Sequence, residues 1–248
     1  ERNLKMVYSP LHGTGLTSVY PILKNLGFDV TLDPATSNLS GAFENVTFNI
    51  PNPEVVESFD QSLPFARKVD ADLLISTDPD ADRIGVMLKY NGDWRFLSGN
   101  EIGVILTQYA ISKYKAQGRL NPDNVIIKTD VTTSLIQKIA SENGVQCIGD
   151  LLVGFKYIGN LMNKIEADNK IEHFILGTEE SHGYLMGNYA RDKDAACAAV
   201  WPSATSSGMN IIVGVNSAFQ CRTMSFSGST VPSKSVTSRS PNMLICTT

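Results

Sequence analysis

Between residues 5 and 200, short apolar runs rich in β-branched residues alternate with longer amphipathic stretches. That alternation restricts the chain to the α/β class. Residues 5–9 and 29–32 read as strands. The helix between them can be capped by Thr17 or Ser18, tolerates Pro21 in its first turn, and is closed by Gly27 in a left-handed C-cap. Residues 33–50 read as loop. A stripe of Val55, Val56, Phe59, Leu63, Ala66 and Val69, opened by Asn52-Pro53, predicts a helix that Pro64 kinks or splits. Strands follow at 71–77 and 84–90, and Asn91-Gly92 is the strongest short hairpin signal in the chain.

A second series starts near residue 100. It predicts helices over about 100–114, 132–143 and 156–167, strands over 125–129, 145–149 and 173–177, and a helix over 191–200. The two halves are built alike. They predict two similar three-layer α/β domains with mixed sheets, 1–99 and 100–200. Residues 201–248 contain no Asp or Glu, only Arg222, Lys234 and Arg239 as cations, and no sustained period. They are expected to form an irregular, Ser/Thr-rich tail that is not native to the fold.

Charge narrows the partners. A formal net charge of −4 supplies no basic face for nucleic acid, and no apolar run is long enough to span a membrane. Cys147, Cys197, Cys221 and Cys246 form no C-x-x-C pair and no zinc spacing, so free thiols of a cytoplasmic protein are expected. The start lacks an initiator Met and an apolar leader, and reads as a cut within a longer protein.

The strand at 71–77 runs directly into Asp78-Pro79-Asp80-Ala81-Asp82-Arg83. Carboxylates at i, i+2 and i+4 beyond a strand end point the same way and repel one another unless a cation lies among them. Their hard oxygens suit Mg²⁺ or Ca²⁺. An EF-hand would need Gly at its sixth position and Glu at its twelfth, where Arg83 and Lys89 stand. The remaining alternative is a solvated acidic turn. Ligands of open α/β sheets gather beyond the carboxyl ends of strands, which is where this loop falls.

The strand at 173–177 leads into Glu179-Glu180-Ser181-His182-Gly183. Glu179 and Ser181 alternate, and a carboxylate beside a hydroxyl can read adjacent sugar hydroxyls or simply cap a turn. His182 can act as acid, base or donor, or be structural. Gly154-Phe155-Lys156 and Arg191-Asp192-Lys193-Asp194 each open a predicted helix with cations, against the dipole, which hints at an anionic ligand or at a surface ion-pair cluster. His12-Gly13-Thr14-Gly15 has Ser18 where a dinucleotide fingerprint needs its third glycine, and no Walker A motif is present.

Five stretches in order resemble the α-D-phosphohexomutases, the phosphoglucomutase and phosphomannomutase family: 9–15, Pro51-Asn52-Pro53-Glu54, the acidic loop 77–83, 154–160, and the Glu-Glu-Ser loop with Arg191-Asp192-Lys193-Asp194. The resemblance implies the second and third of four domains. It implies Mg²⁺ held by Asp78, Asp80 and Asp82, with Arg83 beside the reacting phosphoryl group. Glu179, Ser181 and His182 would hold the sugar, and Lys156, Arg191 and Lys193 the phosphate or substrate in either orientation. The implied reaction interconverts hexose 1- and 6-phosphates through a phosphoserine and a hexose 1,6-bisphosphate; a phosphopentomutase of the same family is an alternative. The sequence departs from the family in lacking a Thr-Ala-Ser-His-Asn-Pro-like stretch and an Arg-x-Ser-Gly-Thr loop. Without that serine the covalent step is missing, so the chain alone is expected to be inactive. A non-catalytic phosphosugar- or metal-binding module and an Asp-nucleophile phosphatase are competing readings.

Overall fold

The computed structural model describes residues 4–200. The first domain is a five-stranded mixed sheet of order β2-β1-β3-β4-β5. Its strands are β1 (Lys5–Ser9), β2 (Asp29–Leu32), β3 (Leu73–Thr77), β4 (Ile84–Tyr90) and β5 (Asp93–Leu97). β1 pairs in parallel with β2 and β3, and β3, β4 and β5 run antiparallel. The period-2 side-chain pattern of the strands sends alternate residues to opposite layers. Met6, Tyr8, Leu73, Ile75 and Val86 join Val19 and Leu23 of α1 (Val19–Asn25) in one buried cluster, whereas Val7, Leu74 and Met87 join Phe59 and Ala66 in another. Ala66 belongs to α2 (Ser62–Lys68). Helices on both faces make this domain three-layered.

The second domain is a four-stranded sheet of order β7-β6-β8-β9, built from β6 (Val125–Thr129), β7 (Gln146–Leu151), β8 (Phe174–Thr178) and the antiparallel β9 (Tyr184–Met186). Here α3 (Gly99–Ala116) and α4 (Ser134–Glu142) contribute Ile102, Leu106, Ile136 and Ala140 to the larger core, while α5 (Phe155–Ala167) contributes Phe155, Ile158 and Met162 to a separate cluster on the other face. The same large core also takes in Ala195, Ala198 and Ala199 of α6 (Ala195–Ala199), so apolar packing is continuous across both domains.

Several local expectations change. The stripe after Asn52 is split as expected, but the break falls at residues 60–61, ahead of Pro64. It divides into a 3-10 turn (Val56–Phe59) and α2, with Pro64 inside the first turn of α2, where its missing N–H leaves no bond unmade. Asn52 caps no helix; its Oδ1 accepts from the Glu54 N–H in a tight turn. Helix α3 begins at a capping box in which Ser98 and Glu101 exchange hydrogen bonds. The last helix is shorter than 191–200. Asp194 caps it by accepting from the Ala196 N–H, so Arg191 and Lys193 precede the helix and the dipole argument does not apply to them. The expected irregular tail, residues 201–248, lies outside the described residues.

Candidate active site at the seam of two domains

The acidic loop is a tight turn set by its own backbone. Ala81 adopts a left-handed φ of 59°, and its N–H donates to the Asp78 carbonyl at 3.0 Å. Asp78 is only 1% exposed. One of its oxygens accepts the backbone N–H groups of Asp82 and Arg83 at 3.0 Å each, and the other accepts Arg83 Nε at 2.7 Å. Burial pushes its pKa up to about 6, even though these Arg83 bonds pull the other way. Oxygens of Asp78, Asp80 and Asp82 lie within 4.8 Å of one another.

Two further segments frame the loop. Arg83 Nη1 donates to Glu54 at 2.8 Å and to Asn52 at 3.3 Å, so the Asn52–Glu54 turn fixes the guanidinium from the far side. His12-Gly13-Thr14-Gly15 lies against Pro79. The Thr14 N–H and hydroxyl both donate to the Pro79 carbonyl, at 2.7 and 2.9 Å. A Cβ on Gly13 would overlap the Pro79 backbone, and one on Gly15 the Tyr8 hydroxyl. Gly13 therefore permits close backbone approach to the acidic loop, and Gly15 makes room for the Tyr8 and Thr77 hydroxyls, which accounts for both without a nucleotide. His12 itself is buried, with Nδ1 2.8 Å from the Asn38 carbonyl.

The second loop closes onto the first. Arg83 and Gly183 form an isolated antiparallel bridge, and the Ile84 N–H donates to the His182 carbonyl at 3.1 Å. The His182 ring is 4% exposed, stacks on Phe96 with ring centres 5.7 Å apart, and places Nδ1 3.0 Å from the Ile84 carbonyl. Burial lowers its pKa. Glu179, 2% exposed, accepts the Gly154 N–H at 2.8 Å; burial raises its pKa, opposed by that bond and by Lys193. Glu180 turns away and accepts from Thr129 and Thr132 at 3.0 and 3.1 Å. Ser181 is half-buried on the same loop.

The predicted cations separate into two kinds. Lys193 reaches across the seam and donates to Asp82 Oδ2 at 2.9 Å, its stem lying where a Cβ of Gly183 would be. Burial alone would lower its pKa, but the Asp82 partner leaves it raised. Lys156 is exposed at the start of α5, its ammonium over the Tyr157 ring. Arg191 instead is tied to α5 through Asn163 at 2.7 Å and Glu166 at 2.6 Å, and to two backbone carbonyls. Sequence reasoning did not single out Asn52, Glu54 or Glu180 as functional positions. Their partners stand 29 to 51 residues away, and local spacing carries no signal of that pairing.

The donor set fits a hard divalent cation. Among the described residues, the carboxylates of Asp78, Asp80, Asp82 and Glu54 outnumber the cations Arg83 and Lys193 that meet them, and Asp80 is exposed without a partner. Among the described residues, Cys147 and Cys197 are free thiols, and no helix is long and apolar enough to cross a membrane.

Fold and site together define a two-domain α/β protein with a carboxylate cluster of cation-binding geometry at the seam. The chain belongs to the phosphoglucomutase/phosphomannomutase family, whose α/β/α domain II profile matches residues 1–92 and whose domain III profile matches residues 98–206. It is 36% identical over 193 residues to a phosphoglucomutase of Staphylococcus saprophyticus, covering 77% of this chain and 34% of that protein. A phosphomannomutase of Mycoplasmoides pirum is 35% identical over 219 residues (85% and 38%), and a phosphoribomutase of Saccharomyces cerevisiae 35% over 205 residues (78% and 32%). The chain thus spans about a third of the length of these curated relatives. A phosphoglucomutase/phosphomannomutase family protein from Burkholderia thailandensis has the same fold, with a TM-score of 0.65 at 17% identity over 86% of this chain and 43% of that one.

Proposed function

We propose that this chain supplies the metal-binding and sugar-recognition halves of a Mg²⁺-dependent phosphosugar mutase that interconverts hexose 1-phosphate and hexose 6-phosphate through a hexose 1,6-bisphosphate. The observation that carries the reading is the bridge between Arg83 and Gly183, which sets the aspartate cluster beside the Glu179–Ser181 loop. The two domains divide between the end of β5 at Leu97 and the start of α3 at Gly99. Asp78, Asp80 and Asp82 hold the ion, which when bound supplies positive charge beside a transferring phosphoryl group. Arg83, fixed by Asp78 and Glu54, faces the same group. Glu179 and Ser181 hold sugar hydroxyls, and Lys156 and Lys193 hold phosphate. Arg191 keeps its loop in place rather than touch the sugar, because its guanidinium already serves α5 and two backbone carbonyls, and His182 ties the loop to Ile84 through Nδ1.

A phosphoserine like the family's is not among these residues, so the chain by itself binds but does not turn over. Phosphorus NMR of glucose 1-phosphate titrated with the chain and Mg²⁺ tests the assignment. Binding that weakens at least tenfold in Glu179→Gln supports it, and binding indifferent to Glu179 overturns it. A coupled mutase assay tests the second half: no turnover by the chain alone, and turnover when the flanking family domains are added in trans. Turnover by the chain alone contradicts the assignment, and sugar-phosphate binding without rescue favours a non-catalytic binding module.

A further inference from the structure

An entering divalent ion finds most of its ligand oxygens engaged. Both oxygens of Asp78 accept protein hydrogen bonds. Asp82 Oδ1 lies 3.7 Å from Arg83 Nε, and its Oδ2 is 2.9 Å from Lys193 Nζ. Of the three aspartates, Asp80 alone is exposed and has no partner among the described residues. The Asp78 and Arg83 contacts are internal to the turn that shapes the loop, so they persist when an ion arrives. The Lys193 contact differs. It comes from the other domain, on a flexible stem whose methylenes pack over Gly183 while the ammonium alone sits on Asp82.

We propose that Lys193 is a tethered counter-ion of the metal site: it holds Asp82 until a divalent cation displaces it, and the ammonium so released becomes available to a phosphate. This rests on the metal reading above. The physical reason is charge. Whether the ion takes Oδ2 directly or Oδ1 of the same carboxylate, an ammonium left in place repels it across a few ångströms in a half-buried site. A freed ammonium stays near Glu179, whose charge already acts on it, and so remains at the sugar-recognition loop. Ion and phosphosugar then bind in a favoured order, each strengthening the other, because linkage is reciprocal.

Ala195 anchors the segment independently, its N–H donating to the Ala81 carbonyl at 3.1 Å, so removing the ammonium need not undock it. Lys193→Met keeps a stem of similar length over Gly183. Lys115→Met, an exposed lysine in the last turn of α3, changes net charge equally, about 24 Å along the helix from its start at Gly99. Magnesium calorimetry on the full chain is expected to show about tenfold tighter binding in Lys193→Met than in wild type, and no change in Lys115→Met. Glucose 1-phosphate affinity is expected to rise with saturating Mg²⁺ in wild type and to lose most of that dependence in Lys193→Met.

Equal or weaker Mg²⁺ binding by a folded Lys193→Met overturns the counter-ion role while leaving the metal site intact. Absence of Mg²⁺ uptake by wild type and by both variants removes the metal site itself, and the proposal with it. Tightening in both variants alike reduces the effect to net charge and also overturns it.

Discussion

Two loops of the same construction behave differently. Each leaves a buried parallel strand, β3 or β8, and returns as an antiparallel one, β4 or β9. In the first, aspartates at alternate positions gather at one spot, buried at Asp78 and exposed at Asp80, with oxygens within 4.8 Å. In the second, the neighbouring Glu179 and Glu180 diverge, one to the Gly154 N–H and the other to Thr129 and Thr132, while His182 faces the opposite domain. Both loops are acidic; spacing decides which gathers carboxylates at one point and which spreads them onto separate partners. The first is shaped by backbone and left with unneutralised carboxylate. The second is held mainly by its own side chains.

Substitutions in the two loops break or sharpen this contrast. The largest expected effect is at the buttress of the first loop. Gly13→Ala forces a methyl group into the Pro79 backbone and should cost about 3 kcal/mol in urea unfolding. A loss below about 0.5 kcal/mol would mean the buttress yields easily. Next comes His182→Ala, which removes the Phe96 stack and leaves the Ile84 carbonyl without its ring partner; about 2 kcal/mol should be lost, with Mg²⁺ affinity little changed. Glu180→Gln should cost about 1 kcal/mol, since an amide still accepts from Thr129 and Thr132, but without charge. Asp80→Asn should leave unfolding within about 0.5 kcal/mol while abolishing Mg²⁺ uptake, because the side chain is exposed and bonds to none of the described residues.

The buried ring also predicts a pH signature. The folded pKa of His182 lies below its ordinary 6.5, so the unfolded chain takes up the proton first. Its contribution is present above pH 6.5 and is lost as pH falls through the depressed folded value. Wild type should therefore lose stability more steeply than His182→Gln on acidification below pH 6.5, measured by urea midpoints. Parallel curves would contradict the buried neutral ring.

The sequence made the alternation of elements legible, because strands and helices here follow local apolar periods: β1, β2, β4 and β6 fall on the predicted spans. The aspartate cluster was also legible, since i, i+2, i+4 spacing is a local signal. What escaped were features set by distant partners. The three-residue β9 is too short to show a period, and its bonds come from β8. Asp194 capping at Ala195 moved a helix start past Arg191 and Lys193. The roles of Glu54, Glu180 and the His182 ring depend on residues 29 to 98 positions away.

A crystal grown in Mn²⁺ and measured at its absorption edge tests the aspartate site most directly. The account predicts one anomalous peak among Asp78, Asp80 and Asp82, bonded to an oxygen of each, with the Lys193 ammonium withdrawn from Asp82. No peak at saturating Mn²⁺, or a peak elsewhere with the three carboxylates unmoved, would contradict it.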